Sequence, residues 1–179
     1  MTATATGTTR SPRAGEPRED RVGHVLADWG RVWPELAVEP VAVVGRLQRV
    51  RAHVERELEA LFARYGLSLP TFEALAAIRR REPPYELTQR ALGRELGLTA
   101  GTISVRIDRL VELGLARRTQ DPTDARGVVV TLTRRGREVC ERLFPAHLAN
   151  EERLLAPLSV AERRALARLL RKLLLEYEH

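Results

Sequence analysis

Thr102, Ser104, Arg106 and Arg109 fall on the face of a helical segment, Ala100 to Leu113, opposite an Ile103, Ile107 and Leu110 stripe. Thr99 stands just before it as the candidate N-cap. Short hydroxyls and guanidinium groups on one helical face are the groups that hydrogen-bond base edges and phosphates in a major groove. Arg126 ends the polar run from Asp121, between two strand-like segments, where a hairpin tip can carry it into a neighbouring minor groove. Thr99, Thr102, Ser104, Arg109 and Arg126 are therefore the candidate contacts to double-stranded DNA. Other chemistries have less support. No phosphate-binding glycine loop of either common type occurs, so a nucleotide-using enzyme has no visible motif. The single cysteine, Cys140, excludes a disulfide framework and a cysteine zinc cluster, and its apolar-periodic helix points to a structural role. His24, His53, His147 and His179 lack ligand-type spacing, and His147 with Glu151 is an i,i+4 pair that needs no metal. No catalytic, cofactor or metal site is expected.

The elements that must position these residues are legible in the same 179 residues. The formal charge is +6, and Leu87 to Glu138 alone holds ten arginines against six acids. A polyanionic partner fits that concentration of charge. Met1 to Arg18 is rich in Thr, Ala, Gly, Pro and Arg and is expected to be disordered. A first helix, Val22 to Trp33, puts Val25, Trp29 and Trp33 on one face, and Pro34 stops it. A long second helix runs from about Pro40 to Tyr65 with Gly66 as its cap, and a third runs from Thr71 to Arg81. Leu87 to Leu96 reads as a short amphipathic helix, followed by Gly97 and the Ala100 helix, which Gly114 closes. Leu115 to Gln120 and Gly127 to Thr133 read as two strands. Helical periodicity then resumes to about Leu155, and a last helix carries Leu166, Leu169, Leu170, Leu173 and Leu174. That leucine stripe fits either intrachain core or the seam of a symmetric dimer.

The fold class expected is mainly α with a small β-hairpin wing: a winged helix-turn-helix with long N- and C-terminal dimerisation helices. Four segments follow, 1–18 as tail, 19–68 as N-terminal helices, 69–138 as the DNA-binding module and 139–179 as C-terminal dimerisation helices. No run approaches the ~18 consecutive apolar residues of a membrane-spanning helix. Residues 1–20 lack the apolar core of a secretory signal, so a cytoplasmic location is expected.

The run LTQRALGRELGLTAGTISVRIDRLVELGLARR, the wing DPTDAR and the strand VVVTLTRRG resemble the MarR family of bacterial winged-helix regulators, over nearly all of residues 20–178. ADWGRV, GLSLPTFEAL, FPAHLA and LLAPLS further resemble its urate-responsive subgroup, which has an extra N-terminal helix. The resemblance implies a homodimeric repressor that binds a palindromic, inverted-repeat operator and releases it when a small anion binds, urate or another purine-like or carboxylate anion. It also implies a ligand site at Trp29, Glu73, Arg106 and Arg118, with Glu73 standing where the subgroup has aspartate. Two guanidinium groups, an indole face and a carboxylate suit a planar anion. The same arginines also suit phosphate contacts, with Glu73 as their ion-pair partner, and Trp29 also suits plain helix packing. Two other readings compete: an architectural DNA binder without ligand response, and a small-molecule hydrolase.

Overall fold

A computed structural model describes residues 19–178. The expected disordered tail, Met1 to Arg18, and His179 lie outside the described residues. The chain divides into two compact units, Met1–Ala52 and His53–His179. Its elements run α1 (Arg21–Val32), α2 (Glu39–Ala63), α3 (Leu69–Arg79), β1 (Glu86–Thr88), α4 (Gln89–Glu95), α5 (Ala100–Glu112), β2 (Ala116–Gln120), β3 (Val128–Leu132), α6 (Arg134–Leu154) and α7 (Val160–Leu175). No helix among them is long and apolar enough to cross a membrane.

In the first unit, Asp20 caps α1 by accepting from the Gly23 N–H at 2.8 Å and pairs with Arg46 at 2.8 Å. Those contacts, from the Gly23 N–H first and Arg46 second, hold the Asp20 carboxyl below its usual range. Val22 is buried, whereas Val25, Trp29 and Trp33 are each about half exposed.

The second unit holds the core. Phe62, Leu75, Ile78, Leu92, Ile103, Ile107, Leu110, Leu132 and Leu143 are fully buried, and Phe62 stacks on Phe72 at 4.3 Å between ring centroids. Each such aliphatic side chain contributes about 1.5–3 kcal/mol by leaving water. Ser68, Thr88, Thr99 and Thr133 cap α3, α4, α5 and α6, each accepting a backbone N–H three residues on. Gly97 and Gly114 bracket α5 at φ +63° and +68°, the left-handed region that other residues adopt at a cost. The chain can therefore turn sharply on both sides of that helix.

The sheet corrects the sequence reading. It has three antiparallel strands in the order β1-β3-β2, not a two-stranded hairpin alone. Leu87 and Thr88, expected at the start of a helix, pair with Val130 and Val129. A three-residue strand is too short to show alternation, and only pairing with the apolar β3 defines it. Thr88 ends the strand and caps α4 by accepting from the Ala91 N–H at 3.1 Å. The start of α4 is thereby tied to the root of the wing.

Candidate nucleic-acid interface

On α5, Ile103, Ile107 and Leu110 are buried and fix which face remains outside. That outer face is Gly101, Thr102, Val105, Asp108, Arg109 and Glu112. Thr99 and Thr102 share a hydroxyl contact of 2.9 Å at the helix start, and Thr99 also accepts from the Thr102 N–H at 3.3 Å. Thr99 is thus committed to capping, with Thr102 outermost. Arg109 is exposed and donates to Glu112 at 3.0 Å.

Two residues expected on that face turn to its flanks. Arg106 leaves only 17% of its side chain exposed and donates to Glu73 at 2.7 Å and to the Pro70 carbonyl at 3.4 Å. Ser104 is half-buried and faces the wing root, where Arg118 Nη2 donates to its carbonyl at 3.0 Å and to its hydroxyl at 3.4 Å. Arg118 Nη1 also donates to Asp108. Arg118 Nε is buried without a partner among the described residues. Arg106 lies about 200° around the helix from both Ser104 and Asp108, because each residue turns it by about 100°. Arg106 and Arg118 therefore sit on opposite flanks of α5. The structure brings Glu73 to Arg106 and does not bring Arg118 to either. Trp29 belongs to the first unit and is about half exposed on α1.

The wing tip is held by its own hydrogen bonds. Asp121 accepts from Thr123 Oγ1 at 2.7 Å and from its N–H at 2.8 Å, which keeps the Asp121 carboxyl below the usual carboxylate range. Asp124 accepts from the Arg126 N–H at 2.9 Å, and the Gly127 N–H donates to the Asp124 carbonyl at 2.8 Å. A side chain at Gly127 would press its Cβ to 2.7 Å from that of Asp121. The Arg126 guanidinium has no ion pair among the described residues. It borders a cleft of about 340 Å³ with Gln89, Arg90, Arg94, Leu98 and Ile103. Sequence reasoning missed Arg90 and Arg94, although their i,i+4 spacing on the short helix was the available signal. Three guanidinium groups on two elements can together neutralise phosphates of one duplex.

The remaining candidates have packing roles. Burial pushes the Cys140 thiol up to about 11, against the opposing pull of Arg79, so it carries no thiolate at neutral pH. His147 packs among Phe62, Phe72 and Phe144, with Nε2 3.3 Å from Glu151. Among the described residues no group of three His, Cys, Asp or Glu could hold a metal ion.

Known proteins share this arrangement. Residues 65–127 match the sequence profile of the MarR family. The chain is 35% identical over 149 residues to the HTH-type transcriptional regulator PecS of Dickeya dadantii (strain 3937), covering 83% of this chain and 90% of that protein. It is similar in structure to a mutant MarR from E. coli complexed with operator DNA, with TM-score 0.67 and 27% identity over 82% of this chain and 97% of that one. It is also similar to Bordetella bronchiseptica BpsR, whose DNA binding is regulated by 6-hydroxynicotinic acid, with TM-score 0.65 and 26% identity over 74% of this chain and 98% of that one. A capped helix with an exposed outer face, a hairpin with an arginine at its tip and a relative matched along nine-tenths of its length lead to one assignment: the chain belongs to the MarR family and is a DNA-binding transcriptional regulator, not an enzyme.

Proposed function

We propose that the protein binds an inverted-repeat operator as a homodimer in the cytoplasm, represses transcription from it, and lets go when a small planar anion binds. The observation that carries the reading is the exposed outer face of α5 together with Arg126, whose guanidinium has no ion pair among the described residues. Thr102 and Arg109 face the groove floor in this reading, and Arg126, Arg90 and Arg94 contact phosphates or the minor groove. Thr99 and Ser104 act beside them as the cap and the wing contact. Residues 69–138 read DNA, while 19–68 and 139–179 pair the two copies.

The anion site is proposed at Arg106. A cleft of about 480 Å³ beside it is lined by Ser68, Pro70, Thr71, Val105 and Arg109, so an anion there adjoins the outer face of α5. Urate, another purine-like anion or an aromatic carboxylate entering there competes with Glu73 for the Arg106 guanidinium. The regulation of BpsR by an aromatic carboxylate supports that ligand class. Of the other residues implied by resemblance, Arg118 braces the wing on the opposite flank and Trp29 lies in the first unit. The proposed site needs neither. The anion shifts the protein only in so far as it binds the DNA-incompetent state more tightly.

An electrophoretic shift assay on DNA upstream of the protein's own gene tests both parts. A specific complex should form on half-sites centred about one helical turn apart. Urate, xanthine or an aromatic carboxylate should dissociate it, and Glu73→Gln should lower the concentration required. Equal affinity for random duplex would leave an architectural binder instead. Anions without effect on wild type and Glu73→Gln alike would remove the ligand site.

A further inference from the structure

The first two turns of α5 are unusual for a surface that meets nucleic acid. Ala100, Gly101, Thr102 and Val105 present no cation there, and Arg106 is drawn aside by Glu73. The next arginine on the outer face, Arg109, lies a further turn along and is paired with Glu112. Recognition helices of this architecture contact base edges with their N-terminal residues. An arginine fork on guanine, the commonest specific contact, is therefore absent from the part of α5 that reaches deepest. What stands there is Val105, 68% exposed at the centre of the face. In the major groove the one apolar group at a base edge is the thymine 5-methyl.

Gly101 supplies a second, independent observation. A Cβ at this position would meet nothing within 4 Å, so the protein's own packing does not require glycine. Its bareness lets the helix approach a surface outside the chain, one turn before Val105. Arg126, Arg90 and Arg94 border the neighbouring cleft, and the occupant that suits an apolar reading face beside such arginines is duplex DNA.

We infer that Val105 packs against a thymine 5-methyl in each half-site, so that this regulator selects its operator through a T·A pair read by apolar contact. Thr102, whose hydroxyl can both donate and accept, contacts the adjacent base edge. The inference rests on the operator reading above and adds the base that α5 selects.

The test begins with selection of binding sites by the full-length protein from a random duplex library. Each thymine of the selected half-site is then replaced singly by deoxyuridine, which removes only the methyl group. At one thymine position, replaced in both half-sites, wild type should lose about fifteenfold in affinity, the scale of losing one buried methyl group at each of two sites. Val105→Ala should bind the unmodified site more weakly by a similar factor and be indifferent to deoxyuridine at that thymine alone. Alanine at an exposed helical position keeps the helix, and an unchanged thermal melt verifies it. If every deoxyuridine substitution affects wild type and Val105→Ala equally, Val105 does not read a thymine. If selection yields no consensus at all, the operator reading itself falls, and the inference with it.

Discussion

Arg126 leaves a turn whose hydrogen bonds are internal, through Asp121, Thr123 and Asp124, so its side chain is presented without the wing having to order on contact. Arg126→Ala removes one guanidinium from each half-site, so it should cost about 1–3 kcal/mol of DNA affinity per half-site and reduce the slope of log K against log salt by about two units for the dimer, with the melt unchanged. Titrations at several salt concentrations measure both. An unchanged slope would mean that the guanidinium stays in solvent. Gly101→Ala should separate stability from binding. The added methyl group has open space, and replacing glycine in a helix gains up to about 1 kcal/mol, so thermal stability should rise. Affinity for the operator should fall, because the methyl group stands between α5 and the groove floor. A variant that is both more stable and equally tight in binding would show that α5 does not approach DNA at Gly101. At this scale the sequence was informative where chemistry and spacing coincided. Thr99 caps as its position implied, and Arg126 is at the tip. Ser104 and Arg106 were misplaced because a helix has flanks as well as two faces, and the partners that draw them aside, Arg118 and Glu73, are 14 and 33 residues distant in sequence. Val105 was passed over because an apolar residue reads as core unless its angular offset from Ile103 and Ile107 is measured.

One short segment ties three elements together. In Leu132-Thr133-Arg134-Arg135-Gly136, Thr133 donates to the Gly114 carbonyl at 2.7 Å and accepts from the Gly136 N–H at 3.0 Å. One hydroxyl thereby joins the end of α5 to the start of α6. Any Cβ at Gly136 would collide with the Leu115 carbonyl, which is backbone and cannot rotate away. Gly136→Ala should therefore destabilise by roughly 3 kcal/mol, the upper part of the usual overpacking range, and a denaturant melt reads it directly. A loss under about 0.5 kcal/mol, the size of an ordinary surface substitution, would mean that α6 lifts off β2 freely. The α7 cap has a pH signature. Ser159 and Glu162 form a reciprocal capping box, and hydrogen bonds from the Ser159 side chain and then its backbone hold the Glu162 carboxyl below its usual value. A depressed carboxylate contributes stability that is present above its unfolded value, about 4.3, and is lost as pH falls through the folded value. The melting difference between wild type and Ser159→Ala should thus be largest near neutral pH and shrink below about pH 4. A difference independent of pH would mean that the carboxylate half of the box adds nothing. The helices were legible from caps and periodicity because those signals are local. β1 was not, since its pairing with Val129, Val130 and Thr131 is settled more than forty residues away in sequence.

Across the whole molecule, apolar surface remains that the single chain does not cover. No residue of α7 is buried, and Leu166, Leu169, Leu173 and Leu174 are all exposed. In the first unit Val25, Trp29, Trp33, Val43 and Val50 are likewise exposed. A fully buried leucine is worth about 1.5–3 kcal/mol, and these leucines have roughly half their surface left to hide, so each can add about 1 kcal/mol. Two-fold symmetry doubles the four leucines of α7 to roughly 8 kcal/mol, which only matches the ~4–15 kcal/mol cost of association. Pairing of the proposed dimer through α7 alone would therefore be marginal. Marginality makes the assembly sensitive to one substitution, because symmetry counts each change twice. Leu169→Glu puts two carboxylates into the seam while altering a side chain that the monomer leaves in water, so the monomer fold should persist. Sedimentation at micromolar concentration should show wild type as a dimer and Leu169→Glu shifted strongly to monomer, with unchanged helical content. Operator affinity should fall with it, since two half-sites held at fixed spacing act as one bivalent site and a single module binds each half-site alone. The residual binding should have about half the wild-type salt slope, because one module neutralises half the phosphates. A dimeric Leu169→Glu would place the seam elsewhere. A monomer that retained wild-type affinity and slope would show that one copy suffices for the operator.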